Sequence, residues 1–192
     1  RMPAPAERHI AVIGGGSWGT ALAIQVARAG HNVVLWDISS DHIKAMQHSR
    51  SNEQYLPGIT LPERLNLSNQ LVTTLQSANT LLLAIPSHAV RSFLQANHAL
   101  IKPEQQIVWA TKGLEEGSAK LVHQVVAEEL PDCHNVAVVS GPTFAGEVAR
   151  NLPTAVTVAA SSHQLASQVA SFLHFGNFRV YTSEDMLGVE LG

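Results

Sequence analysis

Seven short apolar runs recur along the chain, namely HIAVIG, NVVLWD, TLLLAIP, QIVWATK, NVAVVSG, TAVTVAA and FRVYTS, and the segments between them carry apolar residues at the helical period. Strands that alternate with helices in this way form a mostly parallel sheet with helices on both faces. Several runs are continuously apolar rather than alternating, as strands covered on two sides must be. The expected fold is therefore α/β, a doubly wound, mostly parallel sheet.

Helices are predicted over 17–29, ended by Gly30; from Ser40 or Asp41 onward; from Ser87, as a cap, to about Ala99; from Ser118 to Pro131; and over 163–175. In the fourth, Leu121, Val122, Val125, Val126 and Leu130 share one face. NEQYLPGITLPERLNLSNQ, with Pro57, Gly58 and Pro62, reads as one long irregular segment, functional or mobile by its length.

The 192 residues, 45% hydrophobic, suffice for one full-sized domain with a real core. A net charge of −3 with 14% charged residues supplies no basic stripe, so nucleic acid is not an expected partner. Cys133 is the only cysteine; it excludes an internal disulfide and reads as an inert thiol in a reducing cytoplasm. No apolar run approaches the roughly 20 residues that cross a bilayer, so no membrane insertion is expected. Residues 1–8 read as a loose tail without the apolar core of a signal peptide. The ten histidines are scattered, with no pair backed by a third ligand, and His42 and His48 fall on a predicted surface helix, so no metal is assigned.

The stretch AVIGGGSWGT carries the first chemistry. Gly14, Gly16 and Gly19 have the spacing G-x-G-x-x-G, after a strand and at the opening of a helix. The first glycine allows a tight turn, the second lets a pyrophosphate approach the backbone, and the third lets helix and strand pack closely. Free N–H groups at the helix start then hold the anion. Ser17 either caps that helix or bonds the pyrophosphate, and Trp18 is either core or packed on the cofactor; the cofactor side is favoured for both. The next strand ends at Asp37, where a carboxylate accepts hydrogen bonds from the adenosine ribose. This is the Rossmann-type pattern of a dinucleotide site. A carboxylate there welcomes a free 2′-hydroxyl and repels a 2′-phosphate, so NAD is favoured over NADP unless Lys44 or Arg50 intervenes.

Ligands of such sheets sit beyond the carboxyl ends of the strands. There, VWATKGLEEG places Lys112 directly after a buried run, and AVVSGPTFAGE places Gly141, Pro142 and Thr143 at a helix start, with Pro142 suited to the first helical position. Together they promise a donor-rich pocket for a carbonyl or phosphate oxygen.

IGGGSWGTALA, LAIPSH, WATKGLE, SGPTFAGEVA, LPTAVTVA and FRVYTSEDMLGVELG stand in the order and spacing of motifs of the bacterial NAD(P)-dependent glycerol-3-phosphate dehydrogenases, which the chain resembles over residues 10–192. The resemblance implies a cytoplasmic oxidoreductase, a homodimer when intact, that interconverts dihydroxyacetone phosphate and sn-glycerol 3-phosphate for phospholipid synthesis. It assigns Ser17 and Trp18 to the cofactor, Lys112 to cofactor and substrate, Gly141 and Thr143 to substrate, and Ala145 to the cofactor. It implies that residues 9–187 are the dinucleotide-binding domain and that 188–192 begin a helical substrate domain. In the family GVELG continues as G-A-x-K-N, whose lysine is the principal catalytic residue, so a chain ending at Gly192 is expected to bind dinucleotide but turn over little substrate.

Two departures matter. Gly15 stands where the family more often has alanine, a change the turn should tolerate, and Asp37 stands where many NADPH-using members carry no acid. A dehydrogenase of another small hydroxy acid or sugar phosphate, or a non-catalytic NAD-sensing module, are the alternative readings.

Overall fold

The structure, a computed structural model, describes residues 8–141 and 144–192. Eight strands form one sheet in the order β10-β9-β8-β7-β6-β1-β2-β5. They are β1 (His9–Ile13), β2 (Asn32–Trp36), β5 (Leu65–Ser68), β6 (Thr80–Leu83), β7 (Gln106–Trp109), β8 (Val136–Ser140), β9 (Thr154–Ala160) and β10 (Phe178–Ser183). Every neighbouring pair is parallel except β8 with β9. All seven predicted strands are present.

The helices are α1 (Ser17–Arg28), α2 (Ser40–Ser49), α3 (Leu71–Ser77), α4 (Ser87–Asn97), α5 (Val122–Glu129), α6 (Ala145–Ala149), α7 (His163–Leu173) and α8 (Met186–Leu191). Alternate residues of the inner strands feed opposite cores, which is the period-two rule acting on a sheet covered twice, whereas the edge strands β5 and β10 bury one face only. Ile10 and Val12 of β1 pack with α1, α2 and α7, whereas Ala11 and Ile13 pack with α3, α4 and α5. No helix of the described residues is long and apolar enough to cross a membrane.

The order of strands places β1 between β2 and β6, where the chain reverses its direction of travel across the sheet. A crevice opens at such a switch point because consecutive connections leave on opposite faces. Two side chains from the last turns of α1 fix neighbouring elements around it. Arg28 donates to the carbonyls of Val148 (3.1 Å) and Ala149 (2.5 Å), closing the end of α6, and buried Gln25 donates to those of Leu173 (2.7 Å) and Phe175 (3.0 Å), closing α7. At the helix ends these side chains add donors to carbonyls that have no i+4 helical partner, two of which, those of Val148 and Phe175, also accept a backbone N–H from Asn151 and Phe178.

Several predicted boundaries move. The long irregular segment is largely ordered: β3 (Ser51–Asn52) and β4 (Leu56–Thr60) form an antiparallel pair, β5 adds to the edge of the main sheet, and α3 follows. Leu65 and Leu67 are buried while Asn66 is exposed, an alternation that the nearby prolines and Gly58 masked. Helix α5 begins at Val122 rather than Ser118, because Gly117 (φ 89°) and Ala119 (φ 56°) are left-handed and cannot continue a helix. Ser118 instead bonds Glu115, and Gln124 accepts from the Leu121 N–H at the true start. Ser87 is the first residue of α4, not its cap, which is Pro86. Helix α6 starts at Ala145 with Phe144 before it, later than expected; Pro142 and Thr143 lie outside the described residues, as do residues 1–7 of the expected tail. The expected boundary after residue 187 falls inside α8.

Candidate cofactor and substrate cleft

A cleft of about 1170 Å³ lies over the carboxyl ends of β1, β2, β6 and β7. The glycine turn forms its floor. Gly14 (φ +117°) takes a conformation that side chains disfavour, and a Cβ there would stand 2.6 Å from the Ala84 carbonyl oxygen. At Gly19 a Cβ would reach within 1.9 Å of the Gly14 oxygen, so this glycine is what lets α1 lie against β1. Gly16 is different. Its φ is −76°, and a Cβ there would meet no protein atom within 4 Å. Neither backbone strain nor internal packing demands that glycine, and open space beside the backbone is what a pyrophosphate needs. Gly16 also precedes α1, whose first turn has neither a side-chain cap nor an acidic residue, so its N–H groups face the cleft uncompensated. The chain thus fits a dinucleotide.

Ser17 lines the cleft as the first residue of α1. Trp18 packs against the core and also lines the cleft; its indole N–H is buried with no hydrogen-bond partner among the described residues.

Asp37 does more than end a strand. Its Oδ1 accepts from the Gly15 N–H (2.8 Å) and its Oδ2 from the Ser39 N–H (2.9 Å), which fixes the carboxylate at the cleft edge. Behind the turn, the Gly15 carbonyl accepts from His42 Nε2 (2.8 Å) and from Asn52 Nδ2 (2.9 Å). A carbonyl can only accept, so Nε2 of His42 carries a proton. Asn52, 1% exposed, also donates to Thr20 Oγ1 (2.8 Å) and accepts from the Tyr55 N–H (3.2 Å), and the Tyr55 ring meets His42 edge-on at 5.3 Å. His42 is therefore buried against the turn rather than on a surface face. Neither Lys44 nor Arg50 lines the cleft. Arg50 closes α2 in a left-handed conformation, and its guanidinium donates to the Pro62 (2.6 Å) and Leu65 (3.0 Å) carbonyls. Lys112 is the only lysine or arginine among the described residues lining the cleft.

At the other end, Lys112 and Gly141 are brought together, with Nζ donating to the Gly141 carbonyl at 3.1 Å. Gly141 itself is not among the lining residues. A Cβ there would lie 2.7 Å from the Ala155 oxygen, so its glycine serves the close passage of β9. Thr143 lies outside the described residues, and Ala145 lines the cleft. Thr111 anchors the strand end before Lys112 by donating to the Ile85 carbonyl (2.6 Å).

The segment after Lys112 is tied down by ion pairs. Arg91 of α4 engages Glu115 through two nitrogens (2.8 and 3.0 Å) and reaches Glu128 (2.9 Å) and Glu129 (2.8 Å). Hydrogen bonding to Glu115, Glu129 and Glu128 holds the Arg91 guanidinium above its ordinary range. Glu115 is held below the usual carboxylate range by Arg91 and then Ser118, and Glu128 by Lys120 and then Arg91. Under β7, the buried Glu190 of α8 accepts from Trp109 Nε1 (3.2 Å), the His123 N–H (3.0 Å) and His123 Nδ1 (2.5 Å).

His42, Asn52, Tyr55, Thr111 and Glu190 escaped sequence reasoning because each acts across the fold. His88 lines the cleft at its exposed rim, and among the described residues no group of three histidine, cysteine, aspartate or glutamate side chains is placed to hold a metal ion. Cys133 is a free, buried thiol pushed up by burial.

Comparison with known proteins agrees with this geometry. The family described as NAD-dependent glycerol-3-phosphate dehydrogenase N-terminus matches residues 9–166. Glycerol-3-phosphate dehydrogenase [NAD(P)+] of Klebsiella pneumoniae (strain 342) is 46% identical over 182 residues, covering 94% of this chain and 54% of the relative. The crystal structure of glycerol-3-phosphate dehydrogenase from Coxiella burnetii is 43% identical with a TM-score of 0.91, over 96% of this chain and 56% of that one. The chain spans about half the length of the relatives it matches. With its matched region running from β1 into α7 and its glycine turn intact, the chain belongs to the NAD-dependent glycerol-3-phosphate dehydrogenase family and corresponds to the N-terminal portion of its members.

Proposed function

We propose that this chain is the dinucleotide-binding part of an enzyme that interconverts dihydroxyacetone phosphate and sn-glycerol 3-phosphate with NAD(P), the substrate pair of the relatives' named activity. The observation that carries the reading is one cleft that joins an unobstructed Gly16, an uncapped helix start and a lysine at the end of β7. Gly14, Gly16, Ser17, Trp18, Gly19, Asp37, Lys112 and Ala145 hold the cofactor in this reading, and Lys112, Gly141 and Thr143 the substrate.

The nicotinamide, when bound, supplies or accepts the hydride. This chain's part is positional and electrostatic. Lys112, already turned to the Gly141 carbonyl, presents its ammonium where a carbonyl or phosphate oxygen gathers charge. Proton delivery falls to the family's lysine on the helical domain beyond α8. The whole enzyme in this reading is a cytoplasmic homodimer supplying glycerol 3-phosphate for phospholipids.

NAD is the preferred nucleotide. A 2′-phosphate beside the fixed Asp37 carboxylate would be repelled, and no lysine or arginine among the described lining residues stands at that end to compensate. The test is oxidation of NADH and NADPH with dihydroxyacetone phosphate by a protein joining this chain to its C-terminal helical domain. Turnover with NADH ahead of NADPH is expected. No turnover with either would confine the reading to a dinucleotide-binding domain of unknown substrate.

A further inference from the structure

The space around Gly15 has a different meaning from that around the other glycines of the turn, and we propose that Gly15 is a specificity-determining position whose missing methyl lets Asp37 stand where it selects the nucleotide. The inference rests on the cofactor reading above and extends it to a residue that touches no ligand through a side chain. Gly15 is not left-handed, so its backbone does not require glycine. A Cβ there would lie 3.2 Å from Asp37 Cβ, 3.4 Å from Asp37 Oδ1 and 3.4 Å from His42 Cδ2. A methyl would thus press on Asp37, whose Cβ lies closer than ordinary van der Waals contact, while it would meet His42 at about ordinary contact distance, and the two residues are not equally able to yield.

His42 is buried, bonded through Nε2 to the Gly15 carbonyl that Asn52 also holds, and backed by the Tyr55 ring. Asp37 is partly exposed at the cleft edge and held by two backbone N–H groups. The strain of an added methyl therefore passes to Asp37. Moving the carboxylate by a few tenths of an ångström weakens its bond from Gly15 and spoils its aim at a ribose hydroxyl, while a nucleotide that this carboxylate repels loses nothing. Gly16 offers the contrast: an added methyl there meets no protein atom within 4 Å and obstructs only the approach of phosphate, which both nucleotides share.

Calorimetric titration of the 192-residue chain with NAD+ and NADP+ separates these effects without any need for turnover. Gly15→Ala is expected to weaken NAD+ about three- to tenfold, the order of one impaired charged hydrogen bond, and to leave NADP+ unchanged or tighter. Gly16→Ala is expected to weaken both nucleotides alike. In an Asp37→Ala background, Gly15→Ala should cost NAD+ nothing further. Equal loss for both nucleotides in Gly15→Ala, no loss for either, or an undiminished effect without Asp37 would overturn the inference while leaving the cofactor reading in place. A Gly15→Ala chain that melts as unfolded would overturn it too, because Asp37 would then be unable to yield. Binding of neither nucleotide by the unsubstituted chain would overturn the cofactor reading itself.

Discussion

The two ends of the cleft are built on different principles. At the Asp37 end, the turn is locked by a buried network in which His42, Asn52, Thr20 and backbone N–H groups satisfy one another, and the glycines are fitted against Ala84, Asp37 and Gly14. At the Lys112 end, the chain leaves β7 through left-handed Gly113, Gly117 and Ala119, and is restrained by ion pairs of Arg91 that lie near the surface. A buried network loses most when one member is removed, whereas surface pairs are weak and screened. The difference teaches that the Asp37 end is fixed by buried hydrogen bonds within this chain, while the Lys112 end is restrained chiefly by ion pairs near the surface.

The sharpest way to break the comparison is Gly19→Ala. With 1.9 Å between the new methyl and the Gly14 oxygen, α1 must move off β1, and a loss of about 3 kcal/mol is expected from overpacking; urea unfolding reads it, and nucleotide binding should vanish with it. Lys112→Met works at the other end. In the protein joined to its helical domain it should lower turnover about 100-fold, the scale of one lost electrostatic donor, while the glycine turn still binds NADH. An unchanged rate would return Lys112 to the surface charges.

Asn52→Ala should cost about 2 kcal/mol, because it strips a buried residue of three hydrogen bonds, and should weaken NADH and NADPH together. Arg91→Met is expected to have the smallest effect, a slight fall in Tm that disappears in high salt. Its pH dependence has a defined sign. Glu115 and Glu128 are held below the ordinary carboxylate range, so their contribution is complete above that range and is lost as pH falls through their lowered folded-state values. The Tm difference between the native chain and Arg91→Met should therefore be largest near neutrality and close in acid.

How much of this was legible in the sequence follows from the range of each interaction. Every main-sheet strand except β5 announced itself: the inner strands through apolar runs that report burial, and β10 through its aromatic and β-branched residues, although most of them are exposed or only partly buried. The glycine turn and Asp37 were readable because the motif is local and its spacing is set by one strand-helix-strand unit. Lys112 and Gly141 were readable as strand ends, and the structure brings them within 3.1 Å. What failed was non-local or hidden by local contradiction. β4 contains Pro57 and Gly58, which argue for a turn, and α5 lost its first predicted turn to two left-handed residues. His42 looked like a surface helical residue because nothing in its neighbourhood reveals that the Gly15 carbonyl lies above it. Gly15 looked replaceable for the same reason, since the crowding comes from Asp37 and His42 rather than from its own φ.

The central claim, that this chain alone carries a preorganised dinucleotide site in which Asp37 selects against a 2′-phosphate, is tested most directly by titrating it with NADH and NADPH and following nucleotide fluorescence. The account predicts saturable binding of both, with NADH tighter by about tenfold, or about 1.4 kcal/mol. Equal or tighter binding of NADPH, or no binding of either, would contradict it.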